Sequence, residues 1–293
     1  MSMLAGSPVV VGVDGSEESK VGLAWAAHEA HHERRALRLV HAWEVPVPGY
    51  VPVPASVDLV REGAEAVLAE AVSKAQEWAP DVDVDGTLVL GPAGRVLLDQ
   101  GKDAAMLVVG SHGRGGFARL MLGSSSIAVA AHATVPVVVT RGTTASGAWR
   151  HGPVVVGIDG SSVAESAIDF AFQAAALRRQ GLVAVHAWAQ PDPFVDEAYA
   201  VLSEAATRQT EARLAVSESL AGWRSKYPDV EVSDVIADGH PVDALLDEAK
   251  RAEAALLVVG SRGRGGFTGL LLGSVSRGVL HHATCPVAVV RPV

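Results

Sequence analysis

Short runs of apolar residues alternate with longer segments of helical periodicity in the first half of this chain. The apolar runs are rich in Val and Leu and lie near residues 8–13, 37–43, 83–90, 105–110 and 136–141. Runs without strict alternation are typical of strands that are buried on both faces, as in a parallel sheet. The helical segments lie near residues 17–33, 56–78, 92–101 and 124–132. This alternation predicts a doubly wound α/β domain with a five-stranded parallel sheet and right-handed crossovers.

The same pattern occurs a second time later in the chain. Val9–Ser16 returns almost unchanged as Val154–Ser161, and Ala131–Val137 returns as His281–Val287. A repeat of this length is a tandem of whole domains and not a solenoid. We predict domains at residues 1–142 and 153–293, with residues 143–152 as the linker, because the linker segment matches neither copy. Ser16 and Ser161 are the predicted N-caps of the first helix in each domain.

Each copy contains a glycine-rich loop after its fourth apolar run. The loops extend from Gly110 to Ser124 and from Gly260 to Ser274, and both have the form Gly-x-x-Gly, nine residues, Gly-Ser. Glycine lets backbone N–H groups approach and surround an anion, and a helix start adds the positive end of its dipole. One such loop could be an ordinary tight turn. Two at matching places favour a nucleotide phosphate site in each half.

Composition narrows the class of protein. The chain has 293 residues and a net charge of −9, which disfavours broad nucleic-acid binding. The sequence has no apolar run of transmembrane length, and its N-terminal residues match a signal peptide poorly. Cys285 is its one cysteine, so we expect no disulfide framework and no cysteine-based metal site. We therefore expect a cytoplasmic protein that does not enter a membrane.

Three motifs together resemble the universal stress protein family in its tandem, ATP-binding form. They are Val-Gly-x-Asp-Gly-Ser at the start of each copy, Val-His-Ala at the end of the second strand, and the glycine-rich loop. The resemblance covers both copies and leaves out the linker. It implies the strand order 3-2-1-4-5, which places the first and fourth strands side by side. It also implies one ATP in each domain, with Mg²⁺ on the phosphates as a further expectation.

The resemblance also implies a role for particular residues. The base and ribose would lie against Asp14, Ala42, Asp159 and Ala187. The ribose and phosphates would lie against the loop residues and helix starts, which are Gly110, Gly113, Gly123, Ser124, Ser125 and Ser126 in the first copy, and Gly260, Gly263, Gly273, Ser274, Val275 and Ser276 in the second. Arg114 and Arg264 could meet phosphate or could be exposed loop charges. The aspartates could equally be turn residues only.

The chemistry expected of these sites is binding. Neither loop contains the Gly-Lys-Ser/Thr of a P-loop, and no acid in the repeated motifs is an obvious base. The first hypothesis is a nucleotide-dependent regulatory protein of the stress response, whose protein partner the sequence does not identify. A slow ATPase or a self-phosphorylating enzyme, using Ser124 or Ser126, is the alternative, and a scaffold with structural ATP is a third.

The fifth strands raise the question of assembly. In the implied strand order they lie at the sheet edges, and the runs 135–140 and 285–290 contain no charge. A bare apolar edge invites pairing with another strand. We expect the two domains to pair within the chain through these strands, and homodimers could form through other surfaces.

Overall fold

The chain folds into two compact units, each of which is an α/β domain. The computed structural model describes residues 6–45, 54–113, 122–141, 151–161, 164–188, 198–263 and 271–292. Among these residues, the first unit extends to residue 141 and the second begins at residue 151. Each is described by itself below.

The first unit alternates strands and helices as the sequence predicts. Its strands are β1 (Val9–Gly12), β2 (Leu37–Trp43), β3 (Val84–Leu90), β4 (Met106–Gly110) and β5 (Val137–Thr140). Its helices are α1 (Glu17–Glu33), α2 (Pro54–Trp78), α3 (Ala93–Gln100) and α4 (Ser124–His132). All five predicted strands and all four predicted helices are therefore confirmed within a few residues at each end.

The second unit repeats this order of elements. Its strands are β6 (Val154–Gly157), β7 (Leu182–Trp188), β8 (Val232–Asp238), β9 (Leu256–Gly260) and β10 (Val287–Val290). Its helices are α5 (Glu165–Arg178), α6 (Ala198–Lys226), α7 (Pro241–Arg251) and α8 (Ser274–His282). None of the helices in the described ranges is long and apolar enough to cross a membrane.

All strand pairs within each unit are parallel. In the first unit β1 lies between β2 and β4, with β3 beyond β2 and β5 beyond β4. In the second unit β6 lies between β7 and β9, with β8 and β10 outside them. Both sheets therefore have the order 3-2-1-4-5. Because β1 and β4 are neighbours, the loops that follow them leave the same edge of the sheet, where open α/β sheets bind ligands.

The central strands form the core of each unit. Val9, Val10 and Val11 of β1 have no solvent exposure, and neither do Val154, Val155 and Val156 of β6. Helices cover both faces of such a sheet, so every side chain of a central strand contacts apolar neighbours. Full burial of a valine contributes roughly 1.5–3 kcal/mol. The continuous apolar runs in the sequence are therefore strands buried on both faces, as predicted.

The two predicted helix N-caps have different outcomes. Ser16 caps α1, since its side chain accepts a hydrogen bond from the N–H of Ser19. The prediction for Ser161 is wrong, because α5 begins at Glu165 after Ala164 and has no side-chain cap. The carbonyl of Ser161 accepts a hydrogen bond from the N–H of Ala164, so Ser161 acts before this helix through its backbone and not as a side-chain cap.

A pair of carboxyl groups is buried in the last turns of α1. Glu29 is 3% exposed, and the Glu33 side chain has the same exposure. The Nε of Arg35 donates to Glu33 Oε2 at 2.7 Å, and its Nη1 donates to the carbonyl of Ser7 at 2.9 Å. Burial and the neighbouring Glu29 raise the pKa of Glu33 from 4.5 to about 8, although Arg35 acts in the opposite direction. The first domain therefore holds a carboxyl group that keeps its proton at neutral pH.

This raised pKa predicts how the stability of the first domain depends on pH. Between pH 4.5 and about 8, Glu33 is protonated when folded and ionised when unfolded. The unfolded state then binds fewer protons, so the free energy of unfolding falls as pH rises through this window. Glu33→Gln, which resembles the protonated acid, should flatten that fall in urea titrations at several pH values.

The matched control is Glu65→Gln, because Glu65 lies on α2 and its side chain is 53% exposed. We expect this variant to retain the pH dependence of the unmodified chain. If the Glu33 and Glu65 variants have the same dependence as the unmodified chain, Glu33 does not hold a proton in the folded state.

Candidate functional site

The turn between the first strand and the first helix holds an aspartate in a fixed position. In the first domain, Asp14 Oδ1 accepts hydrogen bonds from the backbone N–H of Ser16 at 2.9 Å and from its hydroxyl at 2.6 Å. Asp159 and Ser161 make the same two bonds at the same distances in the second domain. The glycine between them has φ +80° at Gly15 and +72° at Gly160, a conformation that favours glycine. The aspartate is therefore a turn residue, and the turn fixes where its carboxylate lies.

The second glycine of each loop lies against that carboxylate. A Cβ atom on Gly113 would lie 2.6 Å from Asp14 Oδ2, and one on Gly263 would lie 2.9 Å from Asp159 Oδ2. Both distances are shorter than van der Waals contact between carbon and oxygen. A side chain at either position would have to displace the aspartate, so this approach requires glycine.

The two ends of each loop are joined by a backbone hydrogen bond. The N–H of Gly123 donates to the carbonyl of Ser111 at 2.8 Å, and that of Gly273 donates to Ser261 at 2.7 Å. Gly110 packs closely as well, since a Cβ there would lie 2.7 Å from the carbonyl oxygen of Glu18 on α1. The loop thus leaves β4 and returns to the same place before α4 begins.

The helix that follows each loop begins without a side-chain cap. Gly123 and Gly273 are the N-cap residues of α4 and α8, and neither helix has a capping hydrogen bond from a side chain. The N–H groups of a first helical turn have no partner within the helix, and together with the helix dipole they bind anions. Each domain therefore presents an uncapped helix start beside its glycine-rich loop.

The third residue of this turn ties the helix to the strand. The hydroxyl of Ser126 donates to the carbonyl of Gly110 at 2.7 Å, and that of Ser276 donates to Gly260 at 2.6 Å. Both serines are buried. Because these hydroxyl hydrogens are already donated within the protein, the phosphate contacts predicted for Ser126 and Ser276 would come from their backbone N–H groups. Ser124, Ser125 and Ser274 are the hydroxyl donors available to a ligand by position.

These elements enclose one cavity in each domain. The first has a volume of about 870 Å³ and the second of about 520 Å³. The predicted residues that line the first are Asp14, Ala42, Gly110, Gly113, Gly123, Ser124, Ser125 and Ser126. Those that line the second are Asp159, Ala187, Gly260, Gly263, Gly273, Ser274, Val275 and Ser276. Arg114 and Arg264 lie outside the described residues.

Sequence reasoning missed the apolar walls of these cavities. Leu59, Val60 and Val67 of α2 line the first cavity, and Leu97 of α3 lies opposite. Leu59 is 70% exposed, which is unusual for a leucine that faces its own domain. Its position on the apolar stripe of a long helix was the available signal. Such a stripe cannot distinguish a residue that packs into a core from one that covers a ligand.

The histidine of the Val-His-Ala motif has a structural role. His41 Nδ1 is 2.5 Å from the carbonyl oxygen of Val13, and His186 Nδ1 is 2.7 Å from that of Ile158. Each bond joins the end of the second strand to the residue just before the aspartate. The histidine therefore helps to fix the turn that positions the carboxylate.

Comparison with known proteins agrees with this architecture. The universal stress protein family model matches residues 7–141 and again residues 151–291. A universal stress protein of Mycobacterium tuberculosis (strain ATCC 25618 / H37Rv) is 42% identical over 291 residues, which cover 97% of this chain and 96% of that protein. One of Mycolicibacterium smegmatis is 39% identical over 293 residues, covering 97% of both chains.

A solved structure extends the likeness to the fold. The crystal structure of a universal stress protein from Archaeoglobus fulgidus DSM 4304 matches with a TM-score of 0.74, covering 97% of this chain and 98% of that one. At 22% identity this similarity concerns the fold alone. The family matches and the full-length relatives establish more. This chain belongs to the universal stress protein family and carries two copies of the family's domain in tandem.

Proposed function

We propose that this universal stress protein binds one ATP in each domain and acts as a nucleotide-dependent regulatory protein of the stress response. The observation that carries the proposal is that the same cavity is built twice. In each domain an oriented aspartate lies so close to a loop glycine that a Cβ on the glycine would clash with the carboxylate. An uncapped helix start lies beside them. A structural turn alone would not require all three features in both copies.

The chemistry of the walls supports a nucleotide. At one end, backbone N–H groups of the helix start and serine hydroxyls provide donors for phosphate oxygens. The other walls are apolar, with Ala42 on β2 and Leu59 and Val60 on α2, and they suit the faces of a purine. Asp14 lies between these regions, where its carboxylate can accept hydrogen bonds from ribose hydroxyls or from the base. The glycine-loop motif that the sequence shares with ATP-binding members of the family favours ATP.

The ionisable groups of the cavities support binding without rapid turnover. Among the described lining residues they are Asp14, His41 and His112 in the first domain, and Asp159 and Arg262 in the second. Asp14, Asp159 and His41 are held by the turn, as described above. Neither described set includes a lysine that would neutralise charge on a transferred phosphoryl group. A bound ligand stabilises whichever conformation of the protein binds it best, and a cytoplasmic regulator would respond to nucleotide in this way.

Loss of the close approach at the glycine tests the assignment of the site. Gly113→Val should abolish ATP binding in the first domain and leave the second unaffected, and Gly263→Val should do the reverse. The valine side chain would collide with Asp14 or Asp159 and would occupy the place of the ligand. Isothermal titration calorimetry should then give half the stoichiometry of the unmodified chain.

The matched control is Gly222→Val on α6, because a Cβ there meets nothing within 4 Å. This variant should bind as the unmodified chain does. If both loop variants keep full stoichiometry while remaining folded, ATP does not bind in these cavities.

Removal of the aspartate should weaken recognition of the nucleoside. Asp14→Ala should reduce the affinity of the first site for adenosine by about 10- to 100-fold, the usual cost of losing a hydrogen bond to a charged group. Binding of inorganic triphosphate should change much less. Ser16→Ala removes one partner of the carboxylate without removing the carboxylate, so it serves as the control for a disturbed turn. Equal losses for adenosine and triphosphate would place Asp14 away from the nucleoside.

Hydrolysis separates the regulatory protein from an enzyme. We expect purified protein with Mg²⁺ and ATP to turn over well below about 1 per second, the lower end of ordinary enzymes. Sustained release of phosphate above this rate, lost in Gly113→Val or Gly263→Val, would instead support the ATPase. Transfer of labelled phosphate to the chain, lost in Ser124→Ala, would support self-phosphorylation.

A further inference from the structure

The first residues of the two loops are alike except at one position. Gly110-Ser-His-Gly in the first domain corresponds to Gly260-Ser-Arg-Gly in the second, so that His112 stands where the second copy has Arg262. Both residues line their cavities, at the end formed by the loop and the helix start. That is the end where phosphate would lie under the function proposed above.

His112 is held by the serine before it. Its Nδ1 is 3.0 Å from the hydroxyl oxygen of Ser111, which is itself buried. A hydroxyl can donate to a neutral imidazole nitrogen or accept from a protonated one, so this contact survives a change in the charge of the ring. The other ring nitrogen, Nε2, is shielded from solvent and has no hydrogen-bond partner among the described residues. The ring would therefore act on an anionic ligand in the cavity through its charge.

The second cavity has a different arrangement at the same place. A guanidinium group accepts no hydrogen bond, and the hydroxyl of Ser261 is fully buried without a partner in the part of the chain that the structure describes. Arg262 is exposed and carries its charge at every ordinary pH. Burial and the charge of Arg262 both lower the pKa of Arg291, which follows β10. The positive charge at this site is therefore permanent and is felt by its neighbours.

We propose that protonation of His112 adds a positive charge at the phosphate end of the first domain, so that lower pH strengthens its binding of nucleoside polyphosphates, whereas Arg262 gives the second domain a charge at this position that does not depend on pH. The inference rests on the proposed function, because it assigns a regulatory difference to the same two sites. One chain would then combine a pH-responsive site with a constant one.

The other ionisable groups that the structure describes around the two cavities are matched in type. In the first domain Asp14 follows β1, His41 lies on β2, and Arg141 follows β5. Helices α2, α3 and α4 contribute no ionisable group to the described lining. The three groups have counterparts of the same type in the second domain, which are Asp159, His186 and Arg291. Their effects on pH dependence are therefore expected to be similar at both sites.

The size of the effect follows from the chemistry of imidazole. Histidine side chains exchange their proton between about pH 5 and pH 8, and a positive charge beside the cavity attracts phosphate. We expect the affinity of the first site for ATP to be about tenfold higher near pH 6 than near pH 8, relative to the second site.

Calorimetric titration of single-site chains tests this directly. Gly263→Val leaves the first site and Gly113→Val leaves the second, and each is titrated with ATP near pH 6 and near pH 8. The terminal phosphate of ATP itself takes up a proton in this range, with a pKa near 6. The second site measures the pH dependence that comes from ATP itself, because it binds the same ligand without a histidine at this position.

Exchange of the two residues provides the decisive control in chains with both glycines intact. His112→Arg should abolish the pH dependence at the first site, and Arg262→His should create one at the second. With His112→Gln, the first site should bind ATP at both pH values with the lower affinity that the unmodified site has near pH 8. These variants also keep the test valid if a valine variant fails to fold.

The outcomes separate the inference from the function on which it rests. ATP binding at both sites with the same dependence on pH, unchanged by His112→Arg, overturns the inference and leaves the proposed function standing. No binding of ATP at either site and either pH overturns both.

Discussion

The binding edge of each domain depends on how closely the loop after β4 approaches the turn after β1. Parallel pairing of β1 with β4 brings these segments to the same edge, and Gly113 then lies where a single added carbon would touch the carboxylate of Asp14. The hydrogen bonds of Ser16 hold that carboxylate, and His41 fixes the strand end that leads into the turn. A few short-range contacts thus fix the carboxylate and require glycine in the loop beside it. Asp159 and Gly263 repeat this arrangement in the second domain.

The same constraint explains why the sites are suited to binding more than to catalysis. Residues that could do chemistry are already engaged: Asp14 in the turn, His41 with Val13, and Ser126 with Gly110. Among the described residues, the first cavity is lined by backbone and hydroxyl donors, by apolar side chains, and by His112, whose ring is held by Ser111. Two copies of the domain in one chain can keep the same fold and still differ within the loop, as His112 and Arg262 illustrate.

Much of the fold could be predicted because its signals are local. The valine-rich runs predicted the strands, and the repeat predicted a second domain. The strand order came from the resemblance to the family, because the sequence of an apolar strand does not show which strands pair with it. The predicted N-cap at Ser161 was wrong because α5 begins at Glu165, four residues further along the chain. For the site, the sequence identified Asp14 and Gly113 but could not show that they touch. The sequence did not identify the cavity walls on α2, because apolar residues at helical spacing do not show what they contact. The orientation of His112 by Ser111 depends on side-chain geometry that residue identity does not contain.

Under the proposed function, each domain of this chain holds an adenine nucleotide in the cavity between the aspartate turn and the glycine loop. This can be tested by mass analysis of small molecules released by denaturing freshly purified protein, followed by calorimetry of the stripped protein. We expect ATP or its hydrolysis products in the released material, and binding of one ATP per domain by the stripped chain. Absence of nucleotide from the purified protein, together with no heat of binding for ATP, ADP or AMP at millimolar concentration, would contradict it.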